Sequence, residues 1–265
     1  MSKFLIYPDI HGRRFWKESS ENIDKYDKVI FLGDYLDPYN FENISFQDAL
    51  DNFLDVIDFK KNNPEKVILL LGNHDMPYFS KVYKDFSFYH SRYNSTYAPV
   101  ATGLFEKYRD LFQIAYTQDD ILFTHAGCSV KWTAYILGEK GEDGKNLPDL
   151  ETFTGILNDF IKSIEGLKKL FKIGYERGGR DRFASCIWAD NQETTWDQEL
   201  LMDPSCYVWP IQNVKQIFGH TLQAFYDVDG NIIISKDPIE IGNIKMLDIE
   251  KPFELDTGTF IVTKL

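Results

Sequence analysis

The chain has 265 residues, 43% of them hydrophobic and 15% aromatic, enough to bury a substantial core without disulfides or a partner. A formal net charge of −12 and a pI near 4.9 weigh against nucleic-acid binding, because a polyanion is repelled unless a basic groove or bound cations offset that charge. Three cysteines, Cys128, Cys186 and Cys206, form no Cys-x-x-Cys pair, which argues against a disulfide framework and a thiolate zinc knuckle. No apolar run reaches the length of a signal core or a membrane span, so a cytoplasmic protein without a membrane partner is expected.

In chain order, five short apolar runs read as buried strands: 4–7, 28–32, 66–71, 121–124 and 216–218. Between the second and third, Phe46, Leu50, Phe53, Leu54 and Ile57 recur at helical spacing over 45–61, and Ser45 with Asp48 forms a capping-box signature. Strand, helix, strand implies a parallel pair. A Gly-rich, charged loop at 138–148 precedes a second helical stretch at 149–174, whose stripe is Phe153, Ile156, Leu157, Phe160, Ile161 and Ile164. After His220 the period changes to two, with a hairpin signal at Asp229 and Gly230, so the chain is expected to finish in antiparallel strands. The pattern predicts an α/β fold of two packed sheets flanked by helices. It is expected as one domain over 1–265 with a helical insertion at about 138–185.

Four of the five histidines fall just beyond the carboxyl ends of those runs. Loops converge there while the strands beneath hold them, so residues distant in sequence can share a site. The candidate ligands are Asp9 and His11, Asp34, Asn73 and His74, His125, and His220. Imidazole and carboxylate together suit a catalytic transition metal, and the set exceeds what one open ion needs; two ions sharing a carboxylate account for it. Taken singly, Asp-x-His serves equally as a loop cap, and Asn73 with Asp75 as a tight turn. His90 lies among aromatic residues without a companion ligand and is read as packing.

The blocks Asp9-Ile-His11-Gly, Gly33-Asp34-Tyr-Leu-Asp37, Gly72-Asn73-His74-Asp75, His125-Ala-Gly and Gly219-His220-Thr, in this order, resemble the calcineurin-like metallophosphoesterase superfamily. The resemblance implies a four-layer α/β/β/α sandwich with mixed central sheets. It implies two divalent ions, with manganese expected and iron or zinc, magnesium, nickel and cobalt as alternatives. Asp9 and His11 would hold the first, Asp34 would bridge, and Asn73, His125 and His220 would hold the second. His74 would protonate the leaving group, oriented by Asp37, while a metal-bridging hydroxide attacks phosphorus in line.

Leu222 stands where many members carry a further histidine, which is similar to the phosphoprotein phosphatase and dinucleoside tetraphosphatase branch. Pro38 and Leu71 stand where that branch has arginines. Substitutes are sought in Arg13 and Arg14, in Arg92, and in Arg177, Arg180 and Arg182 before Trp188-Ala-Asp190; Arg13, Arg180 and Arg182 are singled out as substrate-binding. The expected activity is hydrolysis of phosphate monoesters, on a phosphorylated small molecule, a nucleotide or a phosphoprotein. The alternatives are a phosphodiesterase or nucleotide pyrophosphohydrolase of the same fold, and a non-catalytic interaction scaffold.

Overall fold

The structure is a computed structural model that describes residues 2–82, 91–138, 148–190, 193–194 and 214–221 in full, and six further strands by their backbone. His90, Leu222, Cys206, residues 139–147 and the Asp229 and Gly230 turn lie outside the described residues.

Three apolar runs become parallel strands, β1 (Lys3–Tyr7), β2 (Lys28–Phe31) and β3 (Val67–Leu70), and the two-residue β4 (Phe112–Gln113) extends them in parallel. The second sheet is built on β5 (Ala115–Gln118), β6 (Ile121–Thr124) and β7 (Lys215–Phe218), with β6 parallel to β7. Next, β8 (Ala224–Tyr226) and β9 (Ile232–Ile234) pair antiparallel as a separate ribbon, as the period-two pattern implies. The strands β10 (Ile239–Ile241) and β11 (Ile244–Met246) then widen the second sheet, and β12 (Phe253–Asp256) and β13 (Thr259–Val262) return to the first, against β1. The antiparallel ending has one exception, since β11 runs parallel to β7.

Alternation along the strands defines the layers. Phe4, Ile6, Ile30, Leu32 and Leu70 meet Ile121, Phe123 and Ile217 between the sheets. The opposite faces, carrying Leu5, Tyr7, Val29, Phe31, Val67 and Leu69 on one sheet and Leu122 on the other, join the helix-side core. The described helices are α1 (Trp16–Ser20), α2 (Phe46–Asn62), α3 (Met76–Phe79), α4 (Ala98–Lys107), α5 (Val130–Leu137), α6 (Leu150–Asp159) and α7 (Ile164–Leu170). The capping box predicted for α2 forms, Ser45 accepting from the Asp48 N–H and Asp48 from the Ser45 N–H. Its buried face, Phe46, Ala49, Leu50, Phe53, Val56 and Ile57, covers the first sheet.

The stretch 149–174 is not one helix. A 3-10 turn at Phe160–Lys162 follows α6, Ser163 adopts extended backbone, and its hydroxyl accepts from the Gly166 N–H to start α7 afresh. Gly166 packs directly on the Phe160 backbone, where any Cβ would overlap it, so the chain folds back on itself. Ile164, counted in the apolar stripe, is consequently 57% exposed. Beside it, the Asn158 carboxamide bonds Ile114 N, Ala115 N and Ala115 O, fastening α6 to the edge of β5.

Candidate metal centre

Tyr7 pairs with Phe31, and Phe31 with Leu69, so the three loops leave the first sheet at one level; Phe123 opposite Ile217 does the same for the second. The loops then turn sharply. His11, Asp34, Asp37 and His220 have φ of 43°, 56°, 60° and 71°, a left-handed conformation that costs a non-glycine residue roughly 1–3 kcal/mol. Surrounding bonds impose it: His11 N–H donates to Asp34 O at 2.6 Å and Gly12 N–H to Tyr35 O at 3.0 Å. Asp75 does more, because its buried carboxylate accepts from the N–H groups of Gly72, Asp34 and Tyr35 at 2.8, 2.7 and 2.9 Å. Gly33 and Gly72 allow these loops to touch, and a Cβ on Gly72 would overlap Asp34 Oδ1.

Two groups of ligand atoms result, each lying within 4.8 Å: Asp9, Asp34, His125 and His220, and His11, Asp34 and His74. Asp34 belongs to both. Asp9 falls with His125 and His220, its Oδ1 also accepting from the His220 N–H at 3.1 Å. Asn73 Oδ1 lies 3.0 Å from His125 Nε2.

The donor chemistry fits a cation. His125 Nδ1 faces Leu32 O at 2.9 Å and His11 Nδ1 faces Leu36 O at 2.9 Å. A carbonyl only accepts, so both rings carry their proton on Nδ1 and turn the Nε2 lone pair into the site. There the lone pair of His125 lies 3.0 Å from His220 Nδ1, 3.0 Å from the Asn73 oxygen and 3.5 Å from Asp34 Oδ2. Asp34 Oδ2 and His220 Nε2 are buried and have no hydrogen-bond partner among the described residues. Burial, foremost, holds His11 and His220 well below the usual imidazole range, which keeps their lone pairs available. Burial and then the Asp9 carboxylate push Asp34 up, a repulsion that a bound cation relieves.

His74 Nδ1 lies 3.0 Å from Asp37 Oδ2, and the Tyr78 hydroxyl donates to Asp37 Oδ1 at 2.6 Å. Burial pushes Asp37 up to about 6, and burial likewise holds His74 well below its ordinary value. Burial therefore opposes a charged imidazole at His74 in the metal-free arrangement.

The arginines divide by position. Arg92 Nη2 reaches His11, and both its Nε and Nη2 donate to Asp37 O. Arg13 pairs with Glu42 at 2.5 Å and touches Asp9 O at 3.3 Å. Arg14 faces Asp55, and Arg180 and Arg182 are exposed. Arg177 pairs with Asp190 at 3.0 Å and donates to Thr221 Oγ1 at 2.7 Å, bracing the His220 loop, against which Trp188 sets its ring edge-on. Sequence reasoning missed the role of Asp75, whose partners are 41 and 40 positions away.

A family model described as calcineurin-like phosphoesterase matches residues 2–224. Among solved structures, a cold-active protein-tyrosine phosphatase of a psychrophile, Shewanella sp., aligns with TM-score 0.52 and 14% identity over 99% of this chain and 77% of its own. A further structure of a cold-active protein tyrosine phosphatase gives TM-score 0.54 and 13% identity over 99% of this chain and 76% of its own. Likeness at this identity concerns the fold, and it agrees with two sheets flanked by helices. No curated protein sequence matches. With most of the chain inside the family match and the loops that carry the candidate ligands at the ends of its strands, the protein belongs to the calcineurin-like phosphoesterase family, metal-dependent hydrolases of phosphoric esters.

Proposed function

We propose that the protein is a two-cation phosphomonoesterase. The observation that carries this reading is the convergence, from loops on two sheets, of buried ligand atoms, of which Asp34 Oδ2 and His220 Nε2 have no hydrogen-bond partner among the described residues. Asp34, common to both ligand groups, would be the shared carboxylate. His11 would hold the first ion together with Asp9, whose carboxylate also lies within 4.8 Å of the His125 and His220 nitrogens; Asn73, His125 and His220 would hold the second. When bound, two such cations supply an activated water and positive charge that steadies the phosphoryl oxygens.

The chain's own residues then do three things. Asp75 and the loop backbone fix the ligands, Asp37 and Tyr78 orient the His74 ring, and His74 gives a proton to the departing oxygen. Manganese suits the mixed imidazole and carboxylate set. The substrate is a phosphorylated small molecule, nucleotide or phosphoprotein, a class supported by the structural neighbours, which are protein-tyrosine phosphatases. Free, buried Cys128 and Cys186 fit a reducing cytoplasm, and among the described residues no helix is long and apolar enough to cross a membrane. We read the α6 and α7 helices as an insertion on a single domain.

Hydrolysis of p-nitrophenyl phosphate by metal-stripped protein, with and without manganese and beside bis(p-nitrophenyl) phosphate, tests the reading. Manganese-dependent release, faster from the monoester, is expected. Faster release from the diester would make it a phosphodiesterase, and no release from either with manganese bound would leave the scaffold account.

A further inference from the structure

Arg92 is held against the ligand cluster by an arrangement that no metal ligand requires. Its guanidinium carbon lies 3.7 Å over the Tyr39 ring, and Nε and Nη2 donate to Asp37 O at 3.0 and 2.9 Å. Tyr39 is itself fixed: its ring stands edge-on to His11 at 5.1 Å, and its N–H donates to Glu42 Oε2 at 3.1 Å, Glu42 in turn being gripped by Arg13. Stacking and two bonds to one carbonyl pre-order the planar fork.

Arg92 Nη2 also lies 3.1 and 3.2 Å from the two ring nitrogens of His11. Nearly equidistant from both nitrogens, Nη2 lies over the face of the His11 ring, whose Nδ1 gives its proton to Leu36 O. A cation on His11 Nε2 draws electrons from that ring. The Nη2 hydrogen not given to Asp37 O then faces the site without a good acceptor, and an anionic oxygen supplies one.

We propose that Arg92 binds a non-bridging phosphoryl oxygen and sets the preference for monoesters over diesters, in the place left by Pro38 and Leu71. This rests on the two-cation reading. A monoester offers three non-bridging oxygens and a diester two. A donor beyond the cation cluster therefore finds an oxygen on the monoester, whereas a diester that turns both of its oxygens toward the cations leaves Arg92 unpaired.

The test compares wild type, Arg92→Ala and Arg92→Lys at saturating manganese on p-nitrophenyl phosphate and its bis diester, with calorimetric titration of inorganic phosphate into each manganese-loaded protein. For Arg92→Ala, monoester kcat/KM is expected to fall about 30-fold or more, as loss of a charge-assisted transition-state donor implies. Diester kcat/KM should change less than about threefold and phosphate affinity should fall with the monoester rate, if Arg92 contacts only the monoester. Arg92→Lys, keeping the charge without the fork, restores part of both. Equal losses on the two esters, unchanged phosphate affinity, or a wild-type preference for the diester overturns the role of Arg92 while the hydrolase reading stands. Absence of release from either ester by manganese-loaded wild type overturns the hydrolase reading itself.

Discussion

Asp75 accepts three backbone N–H groups from two loops, and its replacement tests how the ligand loops are held together. Asp75→Asn leaves a carboxamide N–H₂ against buried donors, so a loss of about 3 kcal/mol in urea unfolding is expected; a loss under about 1 kcal/mol, the worth of one ordinary hydrogen bond, would show the bracket to be dispensable. Gly72→Ala drives a Cβ into Asp34 Oδ1, so manganese affinity, read by calorimetry, should fall even where the variant stays folded. His74→Asn should retain most of the bound manganese and lose turnover, whereas Asp34→Asn should weaken both ions; equal metal loss in the two would undo the separation of roles. The positions of the candidate ligands just after strands were legible in the sequence because a strand end fixes where a side chain emerges. Which ligands are neighbours was not legible: Asp9 grouping with His125 and His220 depends on how the two sheets approach. Arg92 was one of several arginines in the sequence, and its packing on Tyr39 together with its bonds to Asp37 O beside His11 distinguishes it.

At the level of elements, α2 was legible to within a residue because its periodicity and its capping box agree. The helical stretch after residue 149 was misjudged because an apolar stripe passes through Ser163, whose capping of Gly166 N–H outweighs continuation. Gly166→Ala should cost about 2 kcal/mol by forcing α7 off the Phe160 backbone; a neutral result would mean that the two helices tolerate separation. Cap carboxylates also give these helices a pH dependence. Asp149, bonded to the Thr152 N–H, and Asp48, bonded to Ser45, are both held below the usual carboxylate range. Their stabilising contribution is complete above the unfolded value of about 3.9 and is lost as pH falls through the folded value. Asp149→Asn keeps a capping oxygen without the titration, so the urea midpoint of the variant should fall less than that of wild type between pH 5 and pH 3; parallel falls would assign the acid sensitivity elsewhere. The two-residue β4 gave no readable pattern of its own, since β3 and the Asn158 bonds to Ile114 and Ala115 hold that segment.

Across the whole molecule, two sheets pack through Phe4, Ile6, Ile30, Leu32 and Leu70 against Ile121, Phe123 and Ile217, and that dry layer sets the carboxyl ends of both sheets side by side. The first sheet brings Asp9, His11, Asp34, Asn73 and His74, the second His125 and His220, so the cluster exists only when the layers are stacked. The five parallel or near-parallel runs announced an α/β arrangement in the sequence. The return of β12 beside β1 did not, because a sheet neighbour so distant in the chain is chosen by edge pairing rather than by local pattern. The direct test of the account is the number of manganese ions that metal-stripped protein takes up per chain, counted by calorimetric titration and by elemental analysis after gel filtration. The account predicts two ions sharing Asp34. One ion per chain, or none, would contradict it.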